Sequence, residues 1–347
     1  MTRIPTLDGW RGLAILLVLF DHTQTSLLNH YFQPFTQTGG HGVTIFFVLS
    51  GFLITSKLIE SPIDLKRFYI RRFFRLMPAA WTYLAVVLLL GLLTGVHLEN
   101  LAGFSSCIFF YRNFEGLGAG ALTGHFWSLS LEEQFYLVWP CLLLLAGVRR
   151  CRWIAVAGAV GCAVYRWFFW AHYDRIILSG QTQVRADALL VGCVLAMLLA
   201  DPRIRRNAEQ WSKFLAVPAI AAFLFSIAQY HWIFPLFESV AIACLIAATT
   251  LHPASNFSRW LSFAPLAWLG AISYSLYIWQ QLFMAFHSPW AMCVFLPLAA
   301  LVSYYLIERP ATQWGHRLAS SRARNMQGMN PVVAFAEPSA VIETALG

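Results

Sequence analysis

Stretches of roughly twenty apolar residues, the length a helix needs to cross a bilayer's hydrocarbon core, recur along this chain. They lie near residues 10–30, 41–58, 79–96, 125–147, 153–172, 185–200, 214–231, 233–251, 266–286 and 289–307. A soluble core could not hide them: 59% of the 347 residues are hydrophobic and only 12% are charged, with a mean hydropathy of +0.61. The pattern predicts an all-α fold, a polytopic membrane helix bundle of about ten transmembrane helices.

Segment 98–113 is less clear, because it contains Glu99, Asn100, Arg112 and Asn113 and runs into "EGLGAGALTG". Lys and Arg gather in cytoplasmic loops. If this segment does not cross, the loops assigned to the inner side hold 19 of the 24 Lys and Arg residues; if it crosses, "RRCR" at 149–152 and "RIRR" at 203–206 face outward. The expectation is therefore ten spans in the cell inner (plasma) membrane with both termini cytoplasmic, and 98–124 as an outer-side or re-entrant excursion. No internal repeat is evident. Residues 1–310 read as one membrane domain and 311–347 as a disordered cytoplasmic tail, since the sequence beyond about Gly315 lacks sustained helical periodicity.

The net charge of +8 does not point to nucleic acid, because no basic-aromatic cluster or zinc spacing stands outside the apolar segments. Basic inter-helix loops are the ordinary property of a bilayer protein. The seven cysteines show no CxxC and no histidine at ligand spacing, so they read as packing residues, with no disulfide framework and no metal. The first apolar run meets Asp21 and His22 rather than a small-residue cleavage motif, which argues against a cleaved signal.

Polar residues inside the spans are functional candidates by default. Arg11 and His22 stand eleven residues apart in "RGLAILLVLFDH", on one helix face and about 16 Å apart along the axis. His22 is either a group lining a site or a packing histidine bonded to a neighbouring helix. In "HFWSLSLEEQFYLVWP", His125, Ser128, Glu132 and Tyr136 form a single stripe. Arg166 and Glu238 reach a similar layer, where an ion pair that holds helices together is the favoured reading. Arg185 and Asp187 stand at the mouth of the sixth span, able to cap, to pair or to bind. In "ISYSLYIWQQ", Tyr274, Tyr277 and Gln281 share a face, as do Ser273, Tyr277 and Gln280. Such rows of neutral donors and acceptors suit a sugar or polyol and equally suit helix-helix hydrogen bonds. The basic-aromatic stretch "DLKRFYIRRFFRLMP" suits an interfacial helix ended or turned by Pro78. It either grips anionic lipid or forms an anion site for a phosphorylated ligand.

Seven phrases in register resemble the acyltransferase-3 family of integral membrane O-acyltransferases: "LDGWRGLAILLVLFDH", "GVTIFFVLSGFLI", "RFYIRRFFRLMP", "HFWSLSLEEQFYLVWP", "RADALLVG", "ISYSLYIW" and "YYLIERP". The resemblance covers about residues 6–310. It implies a ten-span domain that moves an acyl group, usually acetyl from acetyl-CoA, onto a hydroxyl of a carbohydrate or polyketide. It also implies that Arg11 and His22 are most tied to activity, followed by Arg71, Arg72 and Arg75. Two departures stand out. Gln280 occupies a position where members often carry histidine, so that it can only hydrogen-bond there. No hydrolase-like domain follows the last span, so a second acyl-handling step would need another protein.

On this reading His22 is the general base that activates the acceptor hydroxyl, Glu132 orients its imidazole, and Arg11 holds the donor at the membrane's inner side. Arg71, Arg72 and Arg75 hold the phosphates of acyl-CoA, the donor substrate; no cofactor is bound tightly. His125, Ser128, Arg185, Asp187, Tyr274, Tyr277 and Gln280 would contact the acceptor, a glycan such as an exopolysaccharide, an O-antigen or a lipid-linked saccharide. The expected partners are the lipid bilayer, acyl-CoA, the glycan acceptor and polysaccharide-assembly proteins. Transfer is direct or through an acyl-enzyme on Ser50 or Ser128, with direct transfer favoured because neither serine shows a base at a recognisable spacing. The rival class is a transporter of acyl groups or lipid-linked saccharides, because polar midplane sites also mark translocation paths.

Overall fold

The computed structural model describes residues 4–27, 38–60, 62–95, 99–114, 122–169, 180–228, 235–286, 288 and 290–328. The apolar runs are helical there, and no strand occurs among the described residues. The helices are α1 (Pro5–Leu27), α2 (Thr38–Glu60), α3 (Leu65–Thr94), α4 (Leu101–Ile108), α5 (Phe126–Phe169), α6 (Thr182–Leu199), α7 (Pro202–Ala228), α8 (Pro235–Leu251), α9 (Asn256–Leu261) and α10 (Ala264–Met284). A final stretch runs through a π-turn at Ala291–Phe295, α11 (Leu296–Ser303), a second π-turn at Tyr304–Glu308 and α12 (Arg309–Gly328).

Among the described residues, five helices are both long and apolar enough to cross a bilayer: Thr38–Glu60, Leu65–Thr94, Phe126–Phe168, Thr182–Leu199 and Ala291–Ser320. A sixth results if Pro202–Ser212 and Phe214–Ile227, bent by 73°, are one span. That is short of ten, for physical reasons that differ along the chain. α1 carries Asp8, Arg11 and Asp21 within its 23 residues, and α8 has only 17. α5 runs 44 residues, but Gly147 adopts φ 73° and ψ 162°, a left-handed backbone that glycine tolerates. The break divides α5 into two arms at the spans expected over 125–147 and 153–172, each arm about 32 Å long.

The surface supports a lipid environment. Leu93 is 74% exposed, Leu145 83% and Trp167 71%, on helices whose other faces are buried. Apolar residues outnumber charged ones on these outward faces, the reverse of a soluble bundle.

Two helix pairs meet backbone to backbone through a glycine on each helix. A methyl group on Gly51 of α2 would overlap the Leu189 carbonyl of α6, and one on Gly192 of α6 would overlap the Val48 carbonyl. α1 and α10 meet similarly, through Gly12 against the Leu266 carbonyl and Gly270 against the Asp8 carbonyl. Small residues let membrane helices approach this closely, where van der Waals packing drives their association.

Among the described residues, the segment after α3 holds no helix long enough to cross. α4 has eight residues, capped by Asn100, whose side chain accepts from the Gly103 amide at 2.6 Å. Arg112 pairs with Glu99 at 3.0 Å and donates to Thr123 and Ser106, so the charges that argued against a span form a knot beside α5. Burial pushes the Cys107 thiol in α4 up to about 12, as suits a packing cysteine.

Two expectations need correction. The basic-aromatic stretch is not a separate interfacial helix ended at Pro78: α3 is continuous over 30 residues, starts at the Asp64 cap and contains Pro78. The chain after residue 310 is not loose as far as Gly328, because α12 continues the last helical stretch and packs on α3. Phe74 and Trp314 meet edge to face there, with ring centroids 5.7 Å apart. The remainder of the expected tail, 329–347, lies outside the described residues.

Candidate active site

α1, α2, α3, α5 and α10 line a cleft of about 90 Å³. Arg11, Arg72 and Arg75 line it together with Ser50, Ser128, Glu132, Ser273, Tyr274 and Tyr277, and Val43, Phe46, Phe47, Leu76 and Leu129 provide apolar wall. Five helices contribute because each brings one polar face inward while its other faces meet lipid or neighbours.

At one end the arginines differ in how firmly they are held. Arg72 lies over the Tyr136 ring, 3.4 Å from its centroid, and faces Glu133 at 3.8 Å. Arg11 reaches Asp8 at 3.6 Å, one turn earlier on its own helix. Arg75 makes no hydrogen bond or ion pair among the described residues, although Glu308 lies close enough to feel both Arg75 and Arg11. Glu308 in turn accepts from Ser275 at 2.8 Å. A cleft that brings together three guanidinium groups with so few closed pairs suits an anionic ligand.

Along α5 the row continues away from the arginines. Glu132 accepts from Ser50 at 2.8 Å. One turn back, Ser128 meets the Tyr277 hydroxyl at 2.6 Å. Tyr277 packs against the His125 ring with centroids 5.7 Å apart, and His125 is a charge neighbour of His22. His125 is buried among Tyr83, Phe126 and Tyr277.

His22 is partly buried at the far end of this row. Its Nδ1 lies 3.1 Å from Gln280 Oε1. A carbonyl oxygen can only accept, so this contact is a hydrogen bond in the tautomer that has the hydrogen on Nδ1 and the lone pair on Nε2. Asp21 is its charged neighbour on the same helix. Arg11 and His22 therefore belong to one row, but only Arg11 lines the cleft.

Other candidates fall elsewhere. Glu132 does not orient His22: it bonds Ser50 and faces Arg72 and Arg11, while Gln280 holds the imidazole. Arg71 is outside the cleft, facing Lys57, Arg67 and His316. Arg185 and Asp187 do not pair with each other. Arg185 donates to Thr44 at 3.1 Å, and Asp187 pairs with Arg166 at 2.7 Å. Arg166 also donates to the Val184 carbonyl. Glu238 instead bonds His41 at 2.8 Å. Tyr274 lines the cleft with its hydroxyl donating to the Leu76 carbonyl at 2.8 Å.

Sequence reasoning missed Glu133 as the partner of Arg72 and His41 as the partner of Glu238. Helical spacing relates residues within one helix, and these pairs join different helices. The Ser50–Glu132 bond, across 82 positions, escaped for the same reason.

The model of a family described as an acyltransferase domain matches residues 4–308. Among curated relatives, the peptidoglycan O-acetyltransferase OatA of Listeria monocytogenes is 29% identical over 330 residues, 82% of this chain and 50% of that protein. The O-acetyltransferase OatA of Staphylococcus aureus is 29% identical over 360 residues, 90% of this chain and 58% of that protein. The chain thus spans about half the length of the curated relatives it matches. No solved structure matches.

Proposed function

Because the chain belongs to the acyltransferase-3 family, we propose that it is an integral membrane O-acyltransferase that moves an acyl group, acetyl carried by coenzyme A, onto a hydroxyl of a cell-envelope glycan. The names of the relatives favour peptidoglycan as the acceptor class. One observation carries the reading: a cleft with three arginines holds the Ser128–Tyr277 pair, with His125 against Tyr277, and on α1, eleven residues beyond Arg11, His22 stands with its Nδ1 at Gln280 Oε1.

Ten spans in the inner membrane with cytoplasmic termini, and a membrane domain over 1–310, complete the proposal. Arg11 then lies on the cytoplasmic side, where acyl-CoA is made, and His22 about 16 Å deeper. Arg75 and Arg11 meet the donor's phosphates, because Arg72 is already engaged by Tyr136 and Glu133. The acceptor oxygen bonds to the thioester carbonyl carbon as its proton passes to His22 Nε2. The tetrahedral centre then collapses and the C–S bond breaks. The leaving thiolate takes the proton from the imidazolium, giving an ester and free coenzyme A thiol.

The test is mass spectrometry of envelope glycans from cells with and without this protein, before and after mild base. The expected result is a base-labile acetyl ester that appears only with the protein. Unchanged ester content, with a changed distribution of unmodified glycan across the membrane, would favour transport instead.

A further inference from the structure

One buried group touches the proposed base without taking part in the proton transfer itself. Gln280 is fully buried on α10 at 0% exposure, yet it stands in a bundle where a glutamine is costly to bury. Of its polar atoms, Oε1 meets His22 Nδ1 at 3.1 Å, and Nε2 has no hydrogen-bond partner among the described residues. A glutamine present for helix packing would be expected to satisfy both ends. This one meets a single group, the imidazole.

We propose that Gln280 is a positioning residue for acyl transfer, whose carbonyl fixes the tautomer and ring orientation of His22. The inference rests on His22 being the base. Neutral imidazole carries one hydrogen, and either nitrogen can hold it. With no acceptor at Nδ1 the two tautomers compete, and in the wrong one Nε2 bears hydrogen and cannot take the acceptor's proton. The hydrogen bond to Oε1 removes that competition. It also fixes the ring plane, as the partner of a working imidazole's second nitrogen does elsewhere. Neither of the other groups near His22 duplicates this role. Asp21 is adjacent on the same helix, and His125 packs against Tyr83, Phe126 and Tyr277.

Packing and positioning predict opposite orders for three variants. Gln280→Met conserves length and volume but removes the acceptor. Gln280→Glu keeps the acceptor and adds a buried charge. Gln280→His keeps an acceptor on a different ring. The assay uses membranes with matched amounts of inserted protein, isotopically labelled acetyl-CoA, and envelope glycan stripped of its esters by base. The expected result is a loss of about 10- to 100-fold in kcat for Gln280→Met, with an unchanged KM for acetyl-CoA. Either acceptor variant should recover most of that loss. If the methionine variant turned over at near-parental rate, or if neither glutamate nor histidine exceeded it, the positioning role would be overturned. His22→Gln is measured alongside. Its activity near the parental level would overturn the base itself, whereas an inactive His22→Gln beside a fully active Gln280→Met overturns the positioning role alone.

Discussion

Two sets of buried polar residues share this bundle, and they differ in whether their bonds are closed. Around α2, α6 and α8 two charged pairs are closed: Arg166 with Asp187 and Glu238 with His41. Around α1, α3 and α10 the groups are not closed in this way. Arg75 has no ion pair among the described residues, Gln280 Nε2 lacks a hydrogen bond there, and Arg11 reaches its carboxylate only at 3.6 Å. Leaving polar groups unmatched in an apolar medium costs free energy. A matched group needs no explanation beyond holding helices together, whereas an unmatched one asks for a ligand.

If the comparison is right, the two regions fail differently when mutated. The largest effect belongs to His22. His22→Ala should lower acyl transfer by about 10²- to 10⁴-fold while the protein still accumulates in membranes, as measured by ester formation per inserted molecule. A variant that instead vanished from the membrane would move His22 to the matched set.

The opposite signature is expected at Asp187. Asp187→Ala leaves Arg166 buried and unpaired, which costs about 3–5 kcal/mol, so inserted protein should fall sharply while the surviving molecules keep near-parental turnover. Immunoblotting beside the transfer assay separates the two, and a collapse of turnover at normal abundance would place Asp187 in the site.

A smaller effect distinguishes the arginines. Arg75→Gln should raise the KM for acetyl-CoA about tenfold, the equivalent of one charge-assisted hydrogen bond. Arg71→Gln should leave it within about twofold on the same argument, because Arg71 lies outside the cleft. Equal effects of the two changes on donor titrations would mean that the phosphates bind at the helix surface. Smallest of all, Ser50→Ala should cost only a few-fold in kcat. If it abolished turnover, and an acetylated Ser50 peptide appeared in the parent on rapid quenching, transfer would run through an acyl-enzyme with Glu132 as the neighbouring base.

Much of this was readable in the chain. The helical class follows from apolar run length, and Glu99 and Arg112, which marked the segment after the third apolar run as unlike the others, turn out to pair. The stripe on α5 follows from spacing within one helix, and the structure brings Ser128 and Glu132 from it into the cleft. Partnership across helices was not readable. Nothing in "RADALLVG" says that Asp187 meets Arg166 rather than Arg185, and nothing in "SLEEQ" says that it is Glu133 that makes the ion pair with Arg72. The span count suffered from a related limit, since hydropathy averaged over α1 is lowered by the same Asp8, Arg11 and Asp21 that surround its functional candidates.

The glycine contacts have a consequence for how the cleft is aimed. Gly12 immediately follows Arg11, Gly51 immediately follows Ser50, and each glycine touches a neighbouring backbone. Successive residues on a helix point about 100° apart. A glycine seated against a carbonyl therefore acts as an index mark that sets the helix's rotation about its own axis, and so the compass bearing of the residue before it. Adding one methyl group at Gly12 or Gly51 would touch no reacting atom, yet it would turn Arg11 or Ser50 away from the shared space.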